Sequence, residues 1–590
     1  MKKLISLQKV SARYSLRITH YFFFFIASAV FIAGCGSNNP TADLALKNGN
    51  IITVDEKLPS AEAVAVKDGK ILFVGTNNDI EKYIDEKTEV LDLKGATVIP
   101  GFFESHAHFL GTGKALLNLD LSDATNWDEI IAKVAVAAEQ ALPSEWIIGR
   151  GWHQEKWTDP PMPNFMGYPY NDQLSKATPY NPVMLIHASG HALIANKKAM
   201  DAAGVTSDTK SPKGGNIVRD SSGVILGVFE ENAEDLIQNA YRNYLEKLPE
   251  TKRLRLMNKA VKAVTDNALQ YGITSFYDAG ENFKTIDFLK NLADSGKLKI
   301  RLNVMVLDNI SAMNRNLAKY RMIGYADNHF TVRGIKQYMD GALGSRGAWM
   351  LHDYSDAPGW RGLNVTSLSD IGKVAKLAIK NGYQLCTHAI GDRANRETLN
   401  IYEQAFKKHP EVDGKSLRWR IEHAQHLSNK DKPRFAKLGV IAAMQGIHAT
   451  SDAPFVVERL GEKRAREGAY VWRDLINLGT VIANGTDSPV EKLDPIACYY
   501  ASVTRMTKSG KPFFPEQKMT RMEALKSYTI NGAYAAFQDT LLGSITKGKL
   551  ADFTVLSQNI LTVPDWKLPK TQILYTIIGG KVLYKRKGMD

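Results

Sequence analysis

Between Ala96 and Asp487 the chain repeats one alternation, a short apolar β-like run followed by an amphipathic helical segment. The runs are Ala96–Glu104, Thr274–Asp278, Ile300–Leu307, Val332–Tyr338, Gln384–His388, Trp419–His423, Val440–Gln445 and Val481–Asp487. Helical patterns such as Ser369–Asn381 and Arg521–Ala536 fall between or after them. Apolar runs separated by crossover helices indicate parallel strands. Eight of them predict an α/β fold, a TIM (β/α)8 barrel, whose C-terminal strand ends form the working face.

Both ends of the chain have a different texture. From Asp43 come LALKNGNIITV, EAVAVKDGKILFVG with a hairpin turn at Asp68-Gly69, and VLDLKGATVIPG; near the other end come ADFTVL and ILYTIIGGKVLY, turning at Gly579-Gly580. Neither end has enough strands to bury a face alone, so 43–97 and 538–590 are expected to form one composite β-sandwich flanking a barrel over 98–537. About 165 residues separate the first run from Thr274, too many for one crossover. A large insertion after the first barrel strand is expected, over about 112–270. It includes a helix near Trp127–Gln140 capped by Thr125 or Asn126, and the β-like WIIGRGW and VMLIHASG.

Residues 1–34 read as an export signal, with Lys2, Lys3, Lys9, Arg13 and Arg17 ahead of the apolar YFFFFIASAVFIAG. Ile32-Ala33-Gly34-Cys35 resembles the lipobox of bacterial lipoproteins. That resemblance implies cleavage before Cys35, lipidation of Cys35, a polar tether over 35–42, and a domain held on the periplasmic side of a membrane or at the cell surface. Gly36 stands where aspartate would suggest inner-membrane retention, which favours the outer membrane. Without residues 1–35 the formal charge falls from +13 to +8, and no basic run with interleaved aromatics follows, so no nucleic-acid partner is indicated. Only Cys386 and Cys498 remain after Cys35, too few for a cysteine metal cluster. A metal must therefore be held by histidines and carboxylates.

Such residues collect at the ends of the runs. His106 and His108 follow the first, Lys336 lies in the fourth, His388 ends the fifth, His423 the sixth and Asp487 the eighth. Positions i and i+2 of a strand share a face, so His106 and His108 can hold one cation. All six are expected at one barrel mouth. Imidazole and carboxylate suit zinc, and a coordination position left to water yields a nucleophile at neutral pH.

PGFFESHAH, GRGWHQEKW (Gly149–Trp157), ASGHALIAN (Ala188–Asn196), KQYMDGALGSRGA (Lys336–Ala348), THAIGDRAN (Thr387–Asn395), RIEHAQ (Arg420–Gln425) and NGTDSPV (Asn484–Val490) together resemble the amidohydrolase superfamily. Within it they match amidohydrolase family 3, the branch of YtcJ-like and N-substituted formamide deformylase-like proteins. The resemblance implies a barrel with a composite sandwich and one or two divalent ions, usually zinc. His106, His108 and Asp487 would ligate the more buried ion and His388 and His423 the second, with Lys336 bridging as a carbamate; if Lys336 instead pairs with Asp340 or Glu422, one metal remains. Asp487 would also take the proton of the attacking water and return it to the leaving nitrogen. His448, in MQGIH where the family commonly has Q-P-x-H, would bind the oxyanion. Trp152, His191 and Arg346 would line or cover a pocket for a small-molecule amide-type substrate. A deaminase, a cyclic-amide hydrolase or a non-catalytic lipid-anchored binding protein remain alternatives, and no motif fixes the oligomeric state.

Overall fold

The computed structural model describes residues 40–588 except 155–156, 188–191 and 213–214. The export signal, Cys35 and His191 lie outside the described residues. Eight parallel strands form the central sheet: β1 Phe102–Ala107, β2 Ile273–Glu281, β3 Arg301–Val306, β4 Phe330–Tyr338, β5 Gln384–Ala389, β6 Arg420–His423, β7 Ile441–Gln445 and β8 Ile482–Gly485. Each pairs with its neighbours in sequence order. The sheet curls until β8 meets β1, where Asp487 N donates to His106 O at 2.8 Å. On the same seam the Glu104 carboxylate accepts the backbone N–H groups of His106 (3.1 Å) and Thr486 (2.9 Å). The strands are buried along nearly their whole length, as a sheet covered by helices requires. Helices Phe283–Asp294, Ile310–Tyr320 and Leu368–Asn381 start at Asn282, Asn309 and Ser367, whose side chains accept first-turn N–H groups.

The apolar run Ala96–Glu104 proves to be two strands. Thr97–Pro100 pairs antiparallel with Phe553–Leu556 in the sandwich, and β1 begins only at Phe102. Gly101 marks the change of sheet: a Cβ there would lie 2.2 Å from Thr274 Oγ1, so only glycine fits. The sandwich thus extends to Pro100 rather than ending at 97. Its larger sheet interleaves the two chain ends, in the order Lys581–Lys585, Ile573–Ile578, Phe553–Leu556, Thr97–Pro100, Asn50–Ile52, Ser60–Ala61. The smaller sheet holds Lys70–Gly75, Ala63–Lys67, Leu44–Lys47 and Glu89–Asp92. Leu44, Leu46 and Val64 share one core with Phe553, Val555 and Ile577, so neither end buries its face alone.

The insertion has its own six-stranded sheet, running from Leu119–Asp120 to Ile225–Glu231, and the helix Trp127–Gln140 capped by Asn126. Its expected limits are too wide. Phe109, Leu110, Ala260 and Val264 belong to the barrel core, which assigns the helices Phe109–Leu116 and Glu250–Gln270 to the barrel. The helix expected over Arg521–Ala536 is broken at Tyr528-Thr529 into Arg521–Ser527 and Ile530–Ala535. Thr529, with φ −133° and ψ −95°, cannot continue an α-helix.

Candidate active site

β1 aims His106 into the barrel mouth, where it is 1% exposed. Its Nδ1 is bonded to Glu422 on β6, and Arg420 clamps that carboxylate with Nε–Oε1 at 2.6 Å and Nη2–Oε2 at 2.7 Å. The brace fixes the ring and leaves Nε2 free, 3.6 Å from Asp487 Oδ1. His108 Nε2 lies 3.3 Å from the same oxygen. His423 is held by Gln445 at the end of β7, with Nδ1 2.8 Å from Oε1. Its ring centre is 4.9 Å from that of His106 and 4.5 Å from that of His388. His448, just beyond β7, stacks on His423 at 6.3 Å. Asp278, on β2, accepts from Phe109 N at 3.2 Å and so anchors the turn that carries His108.

The electrostatics favour a cation. Burial pushes His106 down to about 4 and His388 down to about 3, and it also lowers His423; the imidazoles therefore present neutral lone pairs at pH 7. Burial would raise Asp487, but the hydrogen bond from His108 and the neighbouring imidazoles outweigh it and keep the carboxyl ionised. Buried polar atoms in proteins are almost always hydrogen-bonded. Here His106 Nε2, His388 Nε2 and His448 Nε2 are buried without a hydrogen bond, and the buried Asp487 Oδ1 faces only the imidazoles of His108 at 3.3 Å and His106 at 3.6 Å. The groups His106–His108–Asp487 and His423–His448–Asp487 each bring their donor atoms within 4.8 Å of one another. Imidazole and carboxylate donors gathered in two groups around Asp487 fit divalent ions of the zinc type.

Lys336 is buried among them, and burial lowers its pKa. Among the described residues its ammonium forms no ion pair. The pairing with Asp340 or Glu422 is not made: Asp340 accepts backbone N–H groups of Trp349, Ile390 and Gly391, and Glu422 is taken by Arg420 and His106. Gly446 replaces a proline without loss. Its N–H, which proline lacks, donates to Asn484 at 2.9 Å, and a Cβ there would lie 2.3 Å from Ser502 Oγ.

Two expected pocket residues lie elsewhere. Trp152 is fully buried in the insertion core, its Nε1 donating to Leu185 O at 2.8 Å and its ring against Trp157 and His187. Arg346 is tied to Asp356 at 2.6 Å, beside Arg459, in the loop after β4. The cavity over the cluster, about 390 Å³, is lined instead by Tyr338, Leu343, Gln425, Asp452, Phe455 and Glu491 besides the donors. Sequence reasoning gave no role to Gln425 and Gln445, although they lie in the RIEHAQ and MQGIH motifs, or to Asp452, which stands one helical turn after His448 and outside any motif.

A family model described as the amidohydrolase family matches residues 89–584, most of the chain. The chain belongs to the amidohydrolase family. It is 32% identical over 558 residues to Protein LONG AFTER FAR-RED 3 of Arabidopsis thaliana, covering 92% of each chain. It is 31% identical to the putative amidohydrolase YtcJ of Bacillus subtilis, covering 91% of this chain and 98% of that one, and 28% identical to the N-substituted formamide deformylase of Arthrobacter pascens, covering 92% and 99%. Among solved structures, an uncharacterized metal-dependent hydrolase from Pyrococcus horikoshii superposes with a TM-score of 0.71 at 25% identity, covering 89% of this chain and 99% of that one. This amidohydrolase is therefore an enzyme, a metal-binding hydrolase on a TIM barrel.

Proposed function

We propose that this amidohydrolase cleaves a non-peptide carbon–nitrogen (amide) bond of a small molecule by attack of water, with zinc held at the barrel mouth. The observation that carries this reading is the set of buried, partnerless donors meeting between β1, β5, β6 and β8. His106, His108 and Asp487 would hold one ion, and His388 and His423 a second. Held by these residues, an ion would supply polarisation of the carbonyl and would lower the pKa of a water from about 15.7 towards 7.

The chain's own residues do the rest. Asp487, steadied by His108, accepts the proton of the attacking water and passes it to the leaving nitrogen. His448, whose Nε2 is unpartnered at the cavity, donates to the developing oxyanion. The lowered pKa of Lys336 favours the free amine, the form that captures CO2; as a carbamate it would offer oxygen donors to both ions. The relative named N-substituted formamide deformylase supports an amide substrate. The test is a panel of N-formyl, N-acyl and cyclic amides offered to zinc-loaded protein, with product amine measured. Release of ammonia alone would assign a deaminase, and no turnover of any amide would sink the reading.

From the sequence around Cys35 we also propose a lipid-anchored enzyme outside the cytoplasm. Incorporation of labelled fatty acid that persists in Cys35→Ser protein would refute it.

A further inference from the structure

Beyond β7 the chain makes one helical turn that carries two cavity residues. Asp452 N donates to His448 O at 2.9 Å, so the two side chains share a face, about 5–6 Å apart at Cβ. His448 is 8% exposed, its Nε2 has no partner, and it meets the cavity beside the metal donors. Asp452 lines the same cavity one turn further out. Its Oδ2 accepts from Tyr470 Oη at 2.5 Å and from Gln425 Nε2 at 3.0 Å, and Gln425 Nε2 also donates to Tyr470 Oη at 2.6 Å. Two neutral donors thus fix the carboxylate without cancelling its charge.

Glu491, in the segment after β8, lines the cavity as well, close enough for its charge to act on Asp452. Among the described residues neither acid forms an ion pair, and Lys336, down among the metal donors, is the one lysine or arginine lining the cavity. The same wall carries the apolar side chains of Leu343 and Phe455, with Val490 at its exposed rim. Asp452 is largely withdrawn from water, and a carboxylate in such surroundings is costly unless a cation pairs with it. Apart from the His448 imidazole one turn away, no side chain among the described residues offers Asp452 a cation, which leaves the ligand to bring one.

We propose that Asp452, assisted by Glu491, selects substrates bearing a protonated amine, about four or five bonds from the carbonyl carbon that is attacked beside His448. This inference rests on the amide-hydrolase reading and adds its substrate class. The apolar wall accommodates the methylene spacer, and the turn from His448 to Asp452 measures its length.

The test compares mono-N-acetyl-propanediamine with its uncharged isostere N-butylacetamide, together with the corresponding N-formyl pair, on zinc-loaded wild-type and Asp452→Asn protein. Asparagine keeps an acceptor for Tyr470 and Gln425 and removes the charge. The wild type is expected to prefer the amine-bearing member by about tenfold or more in kcat/KM, and the preference should collapse towards one in Asp452→Asn. Equal kcat/KM for the two members, or a preference that survives the substitution, overturns the proposal. Calorimetric binding of the same ligands to Asp487→Asn protein separates this outcome from failure of the chemistry. If nothing is hydrolysed but the amine binds tighter, and Asp452→Asn abolishes that difference, the cation site stands and the hydrolase reading falls. Equal or absent binding removes the cation site.

Discussion

The two ends of the barrel treat buried polar groups in opposite ways. At the floor, Arg301 meets Asp552 through two hydrogen bonds of 2.7 and 2.9 Å, and Asp552 also accepts from Gly579 N at 2.8 Å. Thr554 and Thr576 donate to the carbonyls of Gly272 and Leu269 at 2.6 Å each. These partners bind the C-terminal end of the chain to the strand bottoms, and the groups saturate one another. At the mouth, equally buried groups face one another with lone pairs unused. The difference teaches that the charged and hydroxyl contacts at the floor fasten the sandwich to the barrel, whereas the cluster of unsatisfied imidazoles at the mouth marks where a ligand belongs.

Four measurements press on that contrast, the largest effect first. Asp487→Asn should lower kcat by about 10³-fold or more while leaving the thermal midpoint of the metal-free protein close to that of the metal-free wild type, because the lost group serves metal and reaction rather than the fold. A large fall in the midpoint would show that the mouth is structural after all. Asp552→Ala should do the reverse: an unpaired buried Arg301 costs about 3–5 kcal/mol in urea titration, with kcat per folded molecule nearly unchanged. Metal removal with a chelator should abolish activity and lower stability by about 2.7 kcal/mol relative to protein with the ion at a hundred times its Kd. Addition of zinc should restore both; a chelated enzyme of full activity would refute the metal assignment.

The smallest expected effect is a pH dependence. His426, behind the mouth against Tyr470, is pushed down to about 3 by burial. It stays neutral when folded, while the unfolded chain takes up a proton below about 6.5. Its contribution is therefore complete above pH 6.5 and is lost as the pH falls towards 3. At pH 5 the loss is on the order of 2 kcal/mol, so His426→Phe should show a correspondingly weaker drop in stability between pH 7 and pH 5. An unchanged drop would locate the acid sensitivity elsewhere.

Much of this was legible in the sequence, because period and turn chemistry are local properties. The eight runs, the cap at Asn126, and the Asp68-Gly69 and Gly579-Gly580 hairpins all follow from neighbouring residues. The strand ends bring His106, His108, Lys336, His388, His423 and Asp487 together, since parallel strands in a barrel share one mouth. What stayed hidden depends on contacts distant in sequence. An apolar run does not reveal that Pro100 faces Phe553 while Phe102 faces Ile273. Motif membership placed Trp152 and Arg346 in the pocket, but the insertion's own core claims the indole and Asp356 claims the guanidinium. Glu422 lies 316 residues from the histidine it braces, and Asp452 carries no motif at all.

The seam between β1 and β8 has a consequence for biosynthesis. Thr486 and Glu104 stand 382 residues apart, and among the described residues no strand ladder joins their strands; the carboxylate and two backbone bonds, from Asp487 N to His106 O and from His108 N to Ser488 O, make the closure. Until the eighth strand docks against the first, His106 and His108 lack Asp487 as their neighbour. A nascent or truncated chain is thus a collection of loose imidazoles, and tight capture of metal must await the final circularisation of the sheet, late in maturation.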